Sequence, residues 1–213
     1  MRDYSLIDKI GNKILIRCAS QNDFYATEFI TREAFWNLYR SGADEHFVLH
    51  NLRQSNNYIF TLDLVAIIDG EIVGHIISSK AYIINNANSS EVLCLGPISV
   101  PQEFQNLGIG SMLINESICI AKELAYPAII LYGDPNYYNR FGFANAQKYR
   151  ITTKDGKNFD PFMALELNDN ALTHVQGRFV EAEAFFTNED ELSDFDATFP
   201  IKVKTEPKIK INL

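Results

Sequence analysis

Between Lys13 and Cys18 the chain reads KILIRC, an alternation of period two that predicts a first strand. Asn22 and Asp23 then offer side-chain oxygens to cap a helix. An aromatic-rich helical segment follows through Phe24, Phe29, Phe35, Trp36 and Leu38, and Ser41-Gly42 breaks it. A second helix is predicted over residues 44–54, where Phe47, Val48, Leu49 and Leu52 form an apolar stripe. Such a stripe normally packs inward, so it reads as core. Residues 62–68 and 71–82 are apolar, β-branched runs joined by Asp69-Gly70, which signals a hairpin. A polar loop over residues 85–90 leads into a strand over 92–100. Next come a glycine-containing turn and a helix from Gly108, with Ile109, Met112, Leu113, Ile120 and Leu124 at helical spacing. Pro127 separates that helix from a short strand, Ala128–Tyr132.

The order is strand, two helices, hairpin, strand, glycine loop, helix, strand. That is an α/β layer arrangement in which helices cover a mixed sheet. Past Phe143 the signals weaken to two short strands, over residues 162–167 and 177–180. Residues 181–196 hold seven acidic residues and no basic one, and residues 200–213 hold four lysines against one glutamate. The expected organisation is one domain over residues 1–180, with 181–213 as an extension packed on it or on a partner subunit. Ile201, Val203, Ile209 and Ile211 alternate and would supply the buried face of that extension.

A chain of 213 residues can bury a core without disulfides or metals. Nineteen basic against 27 acidic residues leave a net charge of −8, which argues against nucleic acid or an anionic membrane as partner. Three scattered cysteines, Cys18, Cys94 and Cys119, give no disulfide framework and read as buried or partly buried thiols in a reducing cytoplasm. No signal-peptide core and no run of membrane-spanning length is found, so a cytoplasmic protein is expected.

Chemistry concentrates in LGPISVPQEFQNLGIGSML, residues 95–113. A strand enters a turn containing Gly108 and Gly110 and passes straight into a helix. Free N–H groups at a helix start converge on one spot, and the helix dipole adds positive charge, so a phosphate or pyrophosphate fits there. A Walker A loop would need Gly-Lys-Ser/Thr, but Gly110 is followed by Ser111-Met112. The dinucleotide fingerprint would need glycine where Leu113 stands, and an acidic residue after the next strand, which instead ends Leu131-Tyr132-Gly133.

The pattern V-x-x-x-x-Q-x-x-G-I-G-x-x-L resembles the acetyl-CoA loop of the GNAT superfamily of N-acetyltransferases. LYGDPNYYNRFGF, residues 131–143, resembles the block carrying that family's catalytic tyrosine, with Tyr138 and Gly142-Phe143 meeting Y-x-x-x-G-F. LVAIIDGEIVGHI, residues 64–76, is similar to its second and third strands. LGPISV together with GDPNYYNRFGF resembles its single-domain, bacterial-type members. The resemblance spans roughly residues 13–180 and implies a mixed, mostly antiparallel central sheet flanked by helices. It also implies acetyl-CoA as co-substrate, no metal, and direct acetyl transfer to a primary amine of a small molecule or peptide, with room left for a homodimer.

On that resemblance, main-chain groups of Ile98, Ser99 and Val100 would pair with the pantetheine arm and polarise the thioester carbonyl. Gln105, Asn106, Leu107, Gly108, Ile109, Gly110 and Ser111 would wrap the pyrophosphate. Tyr138 would serve the departing thiolate. The chain departs from many members at Asn106 and Leu107, which are neutral where Lys or Arg is common. It also has Leu131 at the usual Asn position, leaving Asn136 as a shifted substitute, and Cys94 where some members carry a basic Glu.

The general base stays open among His75, a water chain, and Glu33 or Glu45, both of which read as solvated charges. His46 and His50, at i and i+4, lack a matching third ligand and read as a solvated helix face instead of a metal pair. Two other functions compete: an acyl-CoA sensor that keeps the loop without turnover, and an interaction protein built around the charged tail.

Overall fold

The computed structural model describes residues 4–86 and 88–209. A strand β1 (Tyr4–Ile7) precedes the first predicted one, β2 (Lys13–Cys18). Helices α1 (Phe24–Phe35) and α2 (Glu45–Gln54) follow, then strands β3 (Asp63–Ile68), β4 (Glu71–Asn85) and β5 (Asn88–Ser99). The second half contains α3 (Ile109–Glu123), β6 (Ala128–Tyr132), α4 (Pro135–Tyr138), β7 (Ala144–Asn145), β8 (Ile151–Thr152), β9 (Phe162–Glu166), β10 (Gly177–Val180) and α5 (Glu189–Asp196). The strands form one sheet in the order β1-β2-β3-β4-β5-β6-β9-β7, with β10 paired to β4 and β8. Neighbours are antiparallel except β5 with β6 and β10 with β8. This is the mixed, mostly antiparallel α/β sheet expected from the chain.

Local chemistry accounts for the hairpins. Asp69 and Gly70 both take positive φ, 49° and 88°, as a two-residue turn matched to strand twist requires. The predicted polar loop over residues 85–90 is instead mostly strand, since Ser89 and Ser90 pair with Ile84 and Ile83. Polar residues there reflect an exposed sheet tip and not a break in pairing.

Helices on both faces explain why β4 reads as a nearly continuous buried run. On one face a Cβ at Gly74 would come within 2.8 Å of Ile109 and 3.0 Å of Leu113, so α3 lies directly on the strand. On the other face Ile77 packs with Val48, Leu49 and Leu52 of α2, the predicted stripe. Along α3 the buried positions are Ile109, Leu113, Ile114, Ser117 and Ala121, whereas Leu124 is exposed.

After β10 the chain crosses to the α1–α2 side, where α5 packs and residues 197–209 run on without regular structure. Phe199 is buried against Tyr25 and His46, but past it the apolar side chains of that last segment are not its anchor. Ile201 and Val203 are exposed (104% and 77%) and Ile209 is half-exposed, while Ile211 lies outside the described residues. Backbone hydrogen bonds hold it instead. Of the cysteines Cys94 is buried, Cys18 half-buried and Cys119 exposed. Among the described residues no helix is long and apolar enough to cross a membrane.

Candidate active site

The site grows from a split in the sheet. β5 pairs with β6 only at Leu93↔Ile129 and Cys94↔Ile130. Just beyond, Ile76 faces Ile98 while Ser78 faces Leu95, so β5 carries one more residue than β4 and bulges at Gly96-Pro97. Among the described residues the β6-side edge of β5 past Cys94 has no strand partner. That leaves main chain at Ile98, Ser99 and Val100 beside an open wedge. Behind the wedge the buried Ser99 hydroxyl shares a 2.9 Å hydrogen bond with Thr31 of α1.

The glycine loop closes one end. Gln105 reaches back and donates from Nε2 to the Val100 carbonyl (3.1 Å), so its side chain shapes the turn. Asn106 and Gly108 have φ of 66° and 98°, and Gly108 is the N-cap of α3. The first bond into the helix runs from the Met112 N–H to the Gly108 carbonyl (3.0 Å), leaving the N–H groups of Ile109, Gly110 and Ser111 without helical acceptors. No acidic side chain occupies that first turn. Ile109 anchors the turn in the core, and Leu107 packs beside it while its carbonyl accepts from the Lys9 N–H (3.2 Å).

Cations absent from the loop sequence arrive from elsewhere. The Lys9 side chain passes 4.0 Å from where a Gly108 Cβ would stand. Arg140 lies 4.1 Å over the ring of Tyr137, whose hydroxyl approaches Gly110.

The tyrosine pair forms the other wall. Asp134 caps α4 by accepting from the Asn136 N–H (2.9 Å), and Asn136 stays exposed with its side-chain amide on the same carboxylate (3.1 Å). Successive helical residues point about 100° apart, so Tyr137 and Tyr138 diverge. Tyr138 turns inward, 9% exposed, against Phe143 and so close to Gly133 that a Cβ there would clash with its ring. Burial raises its pKa above the usual phenol value, with Tyr137 and Tyr39 adding to the effect, so it keeps its proton at neutral pH. Tyr137 crosses the wedge. Its hydroxyl lies 2.8 Å from a Gly110 Cβ position that Ile98 and Val100 also approach, at 3.8 and 3.9 Å. The ends of β5, α3 and α4 therefore meet at one point.

The opposite mouth comes from the α1–α2 connection. Burial raises the Tyr39 pKa, and the nearby charges of Glu45 and Asp134 add to the effect. Glu45, in the first turn of α2, is shielded from water and next to Asp44, and its pKa rises to about 7. It is no solvated charge, contrary to the expectation from sequence. Glu33 does match that expectation better, half-exposed beside Lys202.

His46 and His50 differ from the expected solvated face, whereas His75 is the hydrogen-bonded core residue that a lone histidine in a sheet more often is. His46 is buried between Phe195 and Phe199, 3.2 Å from Asp196, with burial lowering its pKa to about 4. His50 pairs with Glu28 (3.1 Å). His75 is buried against Asp63 (2.7 Å), whose other oxygen takes Arg53 Nε (2.9 Å), and these partners lower Asp63 to about 2 against its own burial. That pairing makes His75 part of a structural network under α1 and α2. Among the described residues no group of three His, Cys, Asp or Glu side chains could hold a metal.

An open strand edge, a glycine-led helix start and a tyrosine helix converge on one wedge. The family model for the GNAT acetyltransferase family matches residues 22–143, more than half of the chain, and the protein belongs to that family. It is 27% identical over 165 residues to the uncharacterized N-acetyltransferase YhbS of Escherichia coli K12, covering 77% of this chain and 93% of that one. The crystal structure of the Escherichia coli protein in complex with CoA matches at a TM-score of 0.74 and 25% identity, over 83% of this chain and 94% of the other. A Brucella melitensis GNAT acetyltransferase solved with acetyl-CoA matches at 0.66 and 28% identity, over 81% and 97%.

Proposed function

We propose that this N-acetyltransferase moves the acetyl group of acetyl-CoA directly to a cationic primary amine of a small molecule or peptide. One observation carries the reading: the Tyr137 hydroxyl faces the α3 N-terminus beside the unpaired edge of β5, with Tyr138 next to it and turned inward. The open N–H groups at Ile109, Gly110 and Ser111 suit a pyrophosphate, with Lys9 and Arg140 supplying the charge that Asn106 and Leu107 lack. The edge at Ile98, Ser99 and Val100 pairs with the extended arm and donates to the thioester oxygen as the amine attacks. Tyr138 hydrogen-bonds the departing sulfur. The two acceptor classes, small molecule and peptide, share the ammonium that the acidic mouth at Glu45 and Asp134 recognises.

Glu45 takes the proton the amine must lose. A lysine-like ammonium with pKa near 10.4 would face an ordinary glutamate about six units below it. Glu45 at about 7 cuts that gap by nearly half, a gain of roughly 4 kcal/mol. Because the carboxylate must be ionised, kcat/KM should rise with pH up to about 7 and level above it. Glu45→Gln should remove that rise and lower the plateau roughly tenfold, a modest loss because water can also carry the proton.

The deciding experiment follows free thiol release from acetyl-CoA over pooled polyamines, amino acids, lysine peptides and aminoglycosides. Amine-dependent thiol release supports the reading. Tight acetyl-CoA binding with no amine-dependent release would identify a sensor and reject it.

A further inference from the structure

The family model ends at residue 143, yet the last stretch of the chain returns to the acceptor side. The geometry of that return centres on one residue, Asn37, at the start of the α1–α2 connection. Asn37 is buried, has φ of 55°, and uses all its polar groups. Its N–H donates to the Gly42 carbonyl and its Oδ1 accepts from the Gly42 N–H, both at 2.8 Å, which closes the connection on itself. The remaining groups bind the C-terminal segment. Oδ1 also accepts from the Thr205 N–H (3.1 Å), Nδ2 donates to the Val203 carbonyl (3.2 Å), and the Asn37 carbonyl accepts from the Lys208 N–H (2.9 Å).

Flanking contacts extend the same clamp. Trp36 Nε1 donates to the Val203 carbonyl (2.9 Å), and the Ile209 N–H donates to the Leu38 carbonyl (2.8 Å). Arg40 bridges Asp44 (2.7 Å) and Glu189 of α5 (2.6 Å), and α5 is itself pinned by Asp196 on the buried Arg32 (2.6 Å). The segment is therefore attached by backbone groups while Ile201 and Val203 stay in water. Leu192 and Phe199 are buried, but past Phe199 burial of its own side chains is not what the arrangement achieves. What it fixes is residues 36–45.

Tyr39 brings that stretch within electrostatic range of Asp134 and Tyr138. Thr31 touches Ser99 at the end of β5, and α1 finishes one turn later. The connection that follows carries Tyr39 and leads directly into Glu45.

We propose that residues 186–209 are a structural wall of the acceptor site, which positions Tyr39 and Glu45 through Asn37 and thereby sets affinity for the amine. This rests on the reading of an amine acceptor at that mouth. Asn37, Trp36 and the segment are positioning elements and touch neither substrate directly.

The test uses the full chain. Asn37→Gly keeps the positive φ accessible and deletes the carboxamide. It should raise KM for the amine about tenfold (about 1.4 kcal/mol), with kcat changed less than KM. The melting shift given by acetyl-CoA should stay at the wild-type value, and hydrogen exchange over residues 38–45 should speed up at least about tenfold. Trp36→Phe, which loses one bond to the segment, should move the same readouts in the same direction by less, and carries the test alone if Asn37→Gly does not fold. Unchanged amine KM in a variant whose 38–45 amides exchange faster would overturn the proposal, as would unchanged exchange. Either result beside normal wild-type amine turnover rejects the wall and leaves the amine reading intact. A wild type that binds acetyl-CoA and acetylates no amine rejects both.

Discussion

Acetyl-CoA at a hundredfold excess over its dissociation constant should stabilise the wild-type protein by about 2.7 kcal/mol. For a chain of this size that is a rise of roughly 5–10 °C in melting temperature. Gly110→Val and Gly108→Val should both lose the rise, for different reasons. At Gly110 the first added carbon already lies 2.8 Å from the Tyr137 hydroxyl, beside Ile98 and Val100. A valine there fills the wedge and covers the helix N–H groups, but its backbone is ordinary helix, so the unliganded protein should lose little stability. At Gly108 the space around a Cβ is open, with nothing closer than 3.9 Å, but φ is 98°. A β-branched residue resists that conformation, at a cost on the order of 1–3 kcal/mol. Gly108→Val should therefore melt earlier even without ligand. Differential scanning fluorimetry with acetyl-CoA and with free CoA separates the two effects. A full ligand shift in Gly110→Val would remove the pyrophosphate from this helix start.

The same loop shows how far local sequence reaches. Gly108, Gly110 and the helix behind them were readable because turn chemistry and apolar spacing are local. The hairpin at Asp69-Gly70 was readable for the same reason, both residues taking the positive φ such pairs favour. Lys9 and Arg140 were not, since each reaches the loop only through tertiary packing. Glu45 reads from sequence as a solvated charge, because carboxylates are rarely buried unpaired. Its perturbation comes from the chain folding over it and from Asp44 beside it. His46 and His50 show the same error. Their spacing suggests an exposed face, but α5, built from an acidic stretch, supplies Phe195 and Phe199-side packing that buries His46. The tail alternation misled in the opposite direction, because Ile201 and Val203 alternate yet the backbone makes the contacts.

Tyr138→Phe should lower kcat about a hundredfold while leaving acetyl-CoA binding nearly unchanged. The ring packs against Gly133 and Phe143, and phenylalanine preserves both contacts. The variant thus deletes a hydroxyl and little else. Reference values of about 10 for a phenol and 8.5 for a thiol already make full proton transfer to a thiolate uphill by about 1.5 units, or roughly 2 kcal/mol. Burial raises the Tyr138 phenol further, which widens the gap. The hydroxyl therefore works as a hydrogen-bond donor to developing charge on sulfur and not as a complete acid. General-acid roles are worth about 10²–10⁴-fold, and this mismatch puts the loss at the lower end. Tyr137→Phe should behave differently, because its hydroxyl faces Gly110. It should weaken acetyl-CoA binding by a few-fold and spare kcat. Steady-state rates with a good acceptor and a CoA titration distinguish the pair. Unchanged turnover in Tyr138→Phe with a large loss in Tyr137→Phe would exchange the two roles.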